Sequence, residues 1–164
     1  MMRENIYLET TVPSFYFENR VEPEMVSRRN WTREWWEKYH FVYDIFISDA
    51  VIAELEEGNY PNKIEVLEFV KDLPVLEINH EIENIADVYM KNYVMPKEDV
   101  GDALHLAIAA FYKCDFLLTW NCRHLANAHK TRHIKRINEK LDLFTPLIVT
   151  PLELLPEEDE YEER

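Results

Sequence analysis

Glycine is nearly missing from this chain: Gly58 and Gly101 are the only two in 164 residues. Phosphate-cradling loops of the GxGxxG or P-loop kind need several glycines, so dinucleotide and Walker-type nucleotide sites are excluded. Cysteine is equally scarce. Cys114 and Cys122 are too few for a disulfide framework, and a reducing, cytoplasmic setting is expected. No apolar run approaches the ~18–20 residues that a membrane span needs, and no membrane partner is expected. Residues 1–5 lead straight into a strand-like segment without a hydrophobic leader core. Basic residues are few as well: 18 Lys and Arg stand against 32 Asp and Glu, a net charge of −14. A protein that coats nucleic acid or anionic membrane through its own cations would be basic. An acidic chain can still act on phosphates if its carboxylates hold metal ions that meet them.

What is present is a globular core. Hydrophobic residues make up 47% and aromatic residues 13% of the chain, enough to bury a full domain. A single domain over residues 1–154 is expected, followed by an acidic tail over 155–164 that reads as solvated and disordered. Positive charge concentrates late: Arg123 to Lys140 holds six basic residues against Glu139.

Strand and helix signals alternate. Asn5–Thr10 reads as a buried strand, and Thr10 and Thr11 are N-cap candidates before Pro13. Residues 18–41 form a Trp-rich helical stretch in which Trp31, Trp35 and Tyr39 recur at i, i+4, i+8, beside Trp36. That stripe reads as core; exposed, it would be a partner surface. Asp44–Ile47 is a strand, and Ser48 or Asp49 caps a helix that ends at Gly58. Helices follow over Asn62–Asp72, with Ile64, Leu67 and Val70 on one face, and over Glu81–Val94, with a short strand at Pro74–Leu76 between them. Gly101-Asp102 opens a strongly apolar helix. Asp115–Thr119 is a strand, Arg123–Ala128 a turn, Thr131–Leu141 a basic helix and Leu147–Val149 a last strand. This alternation predicts a parallel sheet with helices on both faces. Ligands in such folds sit beyond the carboxyl ends of the strands.

Four polar residues map to that edge. Glu9 ends the first strand, Glu54 lies in the helix after the second, Asp102 starts the apolar helix, and Asn121 follows the fourth strand. Each has a plainer reading as a cap, a solvated acid or a turn residue. Three carboxylates drawn together repel one another unless cations neutralise them. Oxygen ligands of this kind suit Mg²⁺ or Mn²⁺. His129 and His133, at i, i+4, lack the intervening Glu of a zinc-protease motif, and His105 reads as a core histidine.

The segments Ile6-Tyr7-Leu8-Glu9-Thr10-Thr11-Val12, Ile47–Leu55, Asp102–Ala109 and Leu117–Leu125 resemble, in order, the four blocks of PIN-domain proteins. The resemblance spans roughly residues 5 to 150. It implies a three-layer α/β/α fold with a central, mostly parallel sheet. It further implies a Mg²⁺- or Mn²⁺-dependent ribonuclease of the VapC toxin type, homodimeric and neutralised by a small antitoxin protein. Glu9, Glu54 and Asp102 fall on the family's acidic, metal-holding positions and Asn121 on the fourth catalytic position. Glu9 is one methylene longer than the Asp common there, and Asn121 lacks a charge that Asp would carry. The implied chemistry is metal-assisted phosphodiester hydrolysis. Thr10 and Thr119 would orient ligands, and Lys130, Arg132 and Arg136 would grip the RNA backbone. The alternatives are a catalytically silent PIN-like module that binds protein or RNA, and a nuclease acting on DNA.

Overall fold

The computed structural model describes residues 3–92, 94–96 and 99–157. The remaining acidic tail, residues 158–164, lies outside them. Five strands form one sheet: β1 (Asn5–Leu8), β2 (Asp44–Ser48), β3 (Val75–Leu76), β4 (Phe116–Leu118) and β5 (Leu147–Val149). Their order is β3-β2-β1-β4-β5 and every pairing is parallel. β1 is central, pairing Ile6 with Ile45 on one side and with Phe116 on the other.

Seven helices are present among the described residues: α1 (Thr11–Tyr16), α2 (Pro23–Tyr39), α3 (Asp49–Glu56), α4 (Lys63–Val70), α5 (His80–Lys91), α6 (Val100–Phe111) and α7 (Ala128–Lys140). The path β1 to β2 to β3 moves outward in one direction. The path then returns to β4 and moves outward the other way. With right-handed crossovers this puts α1–α4 on one face and α5–α7 on the other, a three-layer α/β/α fold. A buried Tyr89 hydroxyl on α5 donates to Asn138 on α7 at 2.5 Å, tying that second layer together. The reversal of direction lies between β1 and β4, where the segments leaving the two strands turn toward opposite faces of the sheet.

The core lines both faces of the sheet. Ile6, Tyr7 and Leu8 are fully buried, as are Leu117 and Leu118. Strands covered on both faces carry such continuous apolar runs. α6 is buried from Ala103 through Ala110 save half-covered Leu104. Trp35 of α2 is fully buried and Trp31 and Trp36 are half-buried against the core, so the aromatic stripe packs inward.

Several local expectations are corrected. α7 begins at Ala128 rather than Thr131, because the Asn127 side chain accepts from His129 N–H and starts the helix earlier. α5 begins at His80 for the same reason, with Asn79 accepting from Ile82 N–H. On α4, Ile64 is 80% exposed, and Val66 with Val70 makes the buried face instead. The cap candidates Thr10 and Ser48 make no capping bond with their side chains. Their hydroxyls are engaged at the site described next.

Candidate active site

Glu9 follows β1 directly and is only 3% exposed. Its carboxylate accepts from Thr11 N–H at 2.9 Å, from Thr11 Oγ1 at 2.7 Å and from Thr119 Oγ1 at 3.1 Å. Burial pushes this carboxyl up, while nearby His105 and the threonine donors pull it partly back. Thr11 is the hub of this group, because its hydroxyl also accepts from Trp120 N–H at 2.8 Å. One threonine thereby joins the end of β1 to the loop after β4.

Glu54 projects from α3 and is half-buried. Thr10 Oγ1 donates to its Oε2 at 2.5 Å, and His105 Nε2 lies 2.9 Å from its Oε1. A carboxylate only accepts, so His105 donates from Nε2. His105 is 1% exposed, and its Nδ1 is hydrogen-bonded to the Tyr7 hydroxyl at 2.6 Å. Tyr7 is in turn bonded to Ser48 at 2.8 Å. Burial would raise the Glu54 carboxyl, but the His105 and Thr10 bonds outweigh it and hold it below its ordinary value. Burial alone would lower His105, yet its bond to Glu54 and the charges of Glu9 and Asp102 raise it. Gly101 lies against the same carboxylate: a Cβ built there would sit 2.9 Å from Glu54 Oε1.

Asp102 occupies the first turn of α6, where a negative charge meets the positive end of the helix dipole. Asp99, not Asp102, stands at the cap position. Asn121 Nδ2 donates to Asp102 Oδ2 at 2.9 Å, and Asn121 Oδ1 accepts from His124 N–H at 3.0 Å. Asn121 N–H donates to Thr119 Oγ1 at 2.9 Å. Burial and the neighbouring Asp99 carboxylate push Asp102 up. His124 Nε2 lies 3.1 Å from an Asp99 carboxylate oxygen beside it.

The sequence-selected residues therefore reach one sheet edge in two hydrogen-bonded groups, each completed by residues that the sequence did not single out. One is Glu9, Thr11, Thr119, Asn121 and Asp102; the other is Glu54 with Thr10, His105, Tyr7 and Ser48. Thr10 and Thr119 orient carboxylates, Glu54 and Glu9 respectively. Of the basic residues, Lys130 donates to the Val94 carbonyl at 2.8 Å, and Asp102 and Asp99 act on its charge. Arg132 and Arg136 are exposed on α7. His133 Nε2 meets the Asn92 carbonyl at 2.7 Å.

The donor chemistry at this edge is that of a hard divalent cation: three carboxylates and an amide, no thiolate. The raised Glu9 and Asp102 show charges that burial disfavours and that a cation would stabilise. Among the described residues, however, no three His, Cys, Asp or Glu side chains are gathered closely enough to hold an ion by themselves.

Sequence reasoning missed Thr11, the Ser48–Tyr7–His105 relay, Gly101 and the Asp99–His124 pair. The Thr10-Thr11 doublet after a strand-end acid was the available signal for Thr11. His105, one turn along α6 from Asp102, is both the hydrogen-bonded core histidine expected and a partner of the site.

A family model for the PIN domain matches residues 6–130. The chain belongs to the PIN domain family. No curated protein matches it. Among solved structures it is similar to a chain of the crystal structure of VapBC2 from Rickettsia felis bound to a DNA fragment from their promoter. The TM-score is 0.51 at 15% identity, over 89% of this chain and 98% of that one. At that identity the likeness speaks for the fold, and this PIN domain's site rests on its own geometry.

Proposed function

We propose that this PIN domain is a metal-dependent endoribonuclease, the toxin of a type II toxin–antitoxin pair of the VapC kind. What supports the reading best is that Glu9, Glu54, Asp102 and Asn121, from four separate segments, lie in two hydrogen-bonded groups beyond the carboxyl ends of β1, β2 and β4. The membership of the chain in the PIN family and the fold shared with a VapBC2 chain support it.

Glu9, Glu54 and Asp102 would contribute ligands to Mg²⁺ or Mn²⁺, with water or substrate oxygens completing the coordination. When bound, such a cation supplies Lewis-acid activation of water and charge stabilisation at a phosphodiester. The chain's own residues set the rest. The Thr11 and Thr119 hydroxyls both bond Glu9 Oε2 while the Thr11 N–H spans the two oxygens, so the carboxylate presents in one orientation. His105 and Thr10 do the same for Glu54. Asn121 holds Asp102 with an amide in place of a fourth charge, which lowers mutual repulsion when the site is empty. Arg132 and Arg136 on α7 would meet the RNA backbone as position-setting cations. A small antitoxin protein and a second copy of the chain are the proposed partners.

A silent PIN-like binding module is the second reading. It draws on one observation: both Glu54 oxygens are already bonded by Thr10 and His105. Cleavage of labelled RNA with Mn²⁺ or Mg²⁺, set against Asp102→Asn and a chelator, separates the two. The proposal expects cleavage lost in both controls. A folded wild type that binds neither Mn²⁺ nor Mg²⁺ and cuts no RNA contradicts it.

A further inference from the structure

Trp120 stands between Thr119 and Asn121, and it is only 5% exposed. Its surroundings come largely from α1 and α2, the helices between β1 and β2. The indole N–H donates to Thr32 Oγ1 at 2.7 Å, and the Thr32 hydroxyl donates onward to the Arg28 carbonyl at 2.6 Å. Arg28 Nη1 donates to the Trp120 carbonyl at 3.2 Å. The same guanidinium lies 5.3 Å from the Trp120 ring centre and 5.6 Å from that of Phe15. Trp31 stacks on Trp120 with ring centres 6.1 Å apart and planes 24° from parallel. The Trp120 N–H is held by Thr11.

A tryptophan that only filled space would need apolar walls and one partner for its indole N–H. Here the backbone N–H, the backbone carbonyl, the indole N–H and both ring surroundings are engaged, and three polar bonds fix depth and rotation together. The next residue is Asn121, whose amide donates to Asp102.

We infer that α2 is a clamp on the loop after β4, with Trp120 as a positioning residue that sets Asn121 and, through it, Asp102. Thr32 and Arg28 are the clamp's contacts. The inference deepens the proposed nuclease reading and rests on it for its catalytic consequence. It gives the Trp-rich stretch a task at the site rather than at a partner surface.

Thr32 permits a clean test, because it is 1% exposed and Val matches its shape while lacking the hydroxyl. Thr32→Val and Thr32→Ser are compared with wild type at a temperature where melting curves show all three folded. Mn²⁺ affinity is measured calorimetrically without RNA, and the Asn121 side-chain amide is followed by ¹⁵N NMR. Cleavage of a mixed pool of fluorophore–quencher RNA oligonucleotides supplies kcat and KM separately. Thr32→Val is expected to shift the Asn121 amide resonance, weaken Mn²⁺ binding about tenfold and lower kcat more than KM, as loss of an outer support does. Thr32→Ser is expected to restore all three. An Asn121 resonance and a Mn²⁺ affinity that stay at wild-type values in Thr32→Val overturn the clamp. A wild type that neither binds Mn²⁺ nor cuts RNA overturns the nuclease reading instead, and the Asn121 resonance then decides the clamp alone.

Discussion

At the scale of single residues, Gly101 and Glu54 compete for the same space. Replacing a helical glycine by alanine usually stabilises a helix, by up to about 1 kcal/mol. In Gly101→Ala the new methyl would meet Glu54 Oε1 at 2.9 Å, and the flexible carboxylate must give way. The same oxygen accepts from buried His105, so the helix gain is offset and the expected outcome is a folded protein no more stable than wild type by thermal melting, with Mn²⁺ affinity and RNA cleavage sharply reduced. Asp102 offers a second case. Its carboxylate is disfavoured by burial and by Asp99. Asp102→Asn relieves both and keeps an oxygen for the Asn121 amide. The metal-free protein is expected to gain about 0.5 kcal/mol in denaturant unfolding while losing activity, the trade-off common at functional sites. Glu9, Asp102 and Asn121 were legible because they sit at a strand end, a first turn and the loop after a strand, and Glu54 because it lies about one turn into the helix after β2. Their supports were not. Thr10 and Ser48 look like helix caps in sequence, and only the fold brings Glu54 and Tyr7 near enough to take their hydroxyls. The relay through His105 joins residues 41 to 98 positions apart, beyond the reach of any local pattern.

At the scale of elements, the order of strands and helices was readable because period-2 and period-3.6 patterns alternate with proline and asparagine breaks. Boundaries were less so. The caps at Asn79 and Asn127 precede residues that carry no helical pattern of their own, so α5 and α7 start earlier than periodicity suggests. Ile64 sits out of register with the buried face of α4, which an apolar count alone does not detect. The turn between α6 and β4 supports a further prediction. Burial, with Asp115 nearby, pushes the Cys114 thiol up to about 12. It therefore stays protonated, and alkylation of the native protein at Cys114 is expected to be negligible and flat from pH 7 to 10. The raised value also means that the folded state holds its proton where the unfolded chain releases it. This thiol's contribution to stability is present below pH 9.0 and is lost as pH climbs towards about 12. Mass-spectrometric labelling with and without denaturant checks the first statement, and melting curves across that alkaline range check the second.

At the scale of the whole molecule, the proposed function requires a net charge of −14 to coexist with a polyanionic substrate. The proposed cation site and the basic surface of α7 would reconcile them. Exposed Arg132 and Arg136 would supply sequence-independent attraction. Arg132→Gln is expected to weaken RNA binding uniformly across sequences, and to reduce the slope of log K against log salt by about 0.7 per lost contact to a single strand. Binding titrations at several salt concentrations measure that slope. The strand order reverses between β1 and β4, and alternation in the sequence was enough to anticipate the sheet edge at which the candidate residues lie. The role of α2 was not readable, because its aromatic stripe looks the same whether it packs on a core, a partner or a catalytic loop.

The most direct test of the account is RNA cleavage by the purified chain with Mn²⁺ or Mg²⁺, compared with Asp102→Asn and with wild type plus chelator. The account predicts cleavage by wild type that disappears in both controls while Asp102→Asn remains folded. Cleavage that persists in folded Asp102→Asn, or in the presence of the chelator, would contradict it.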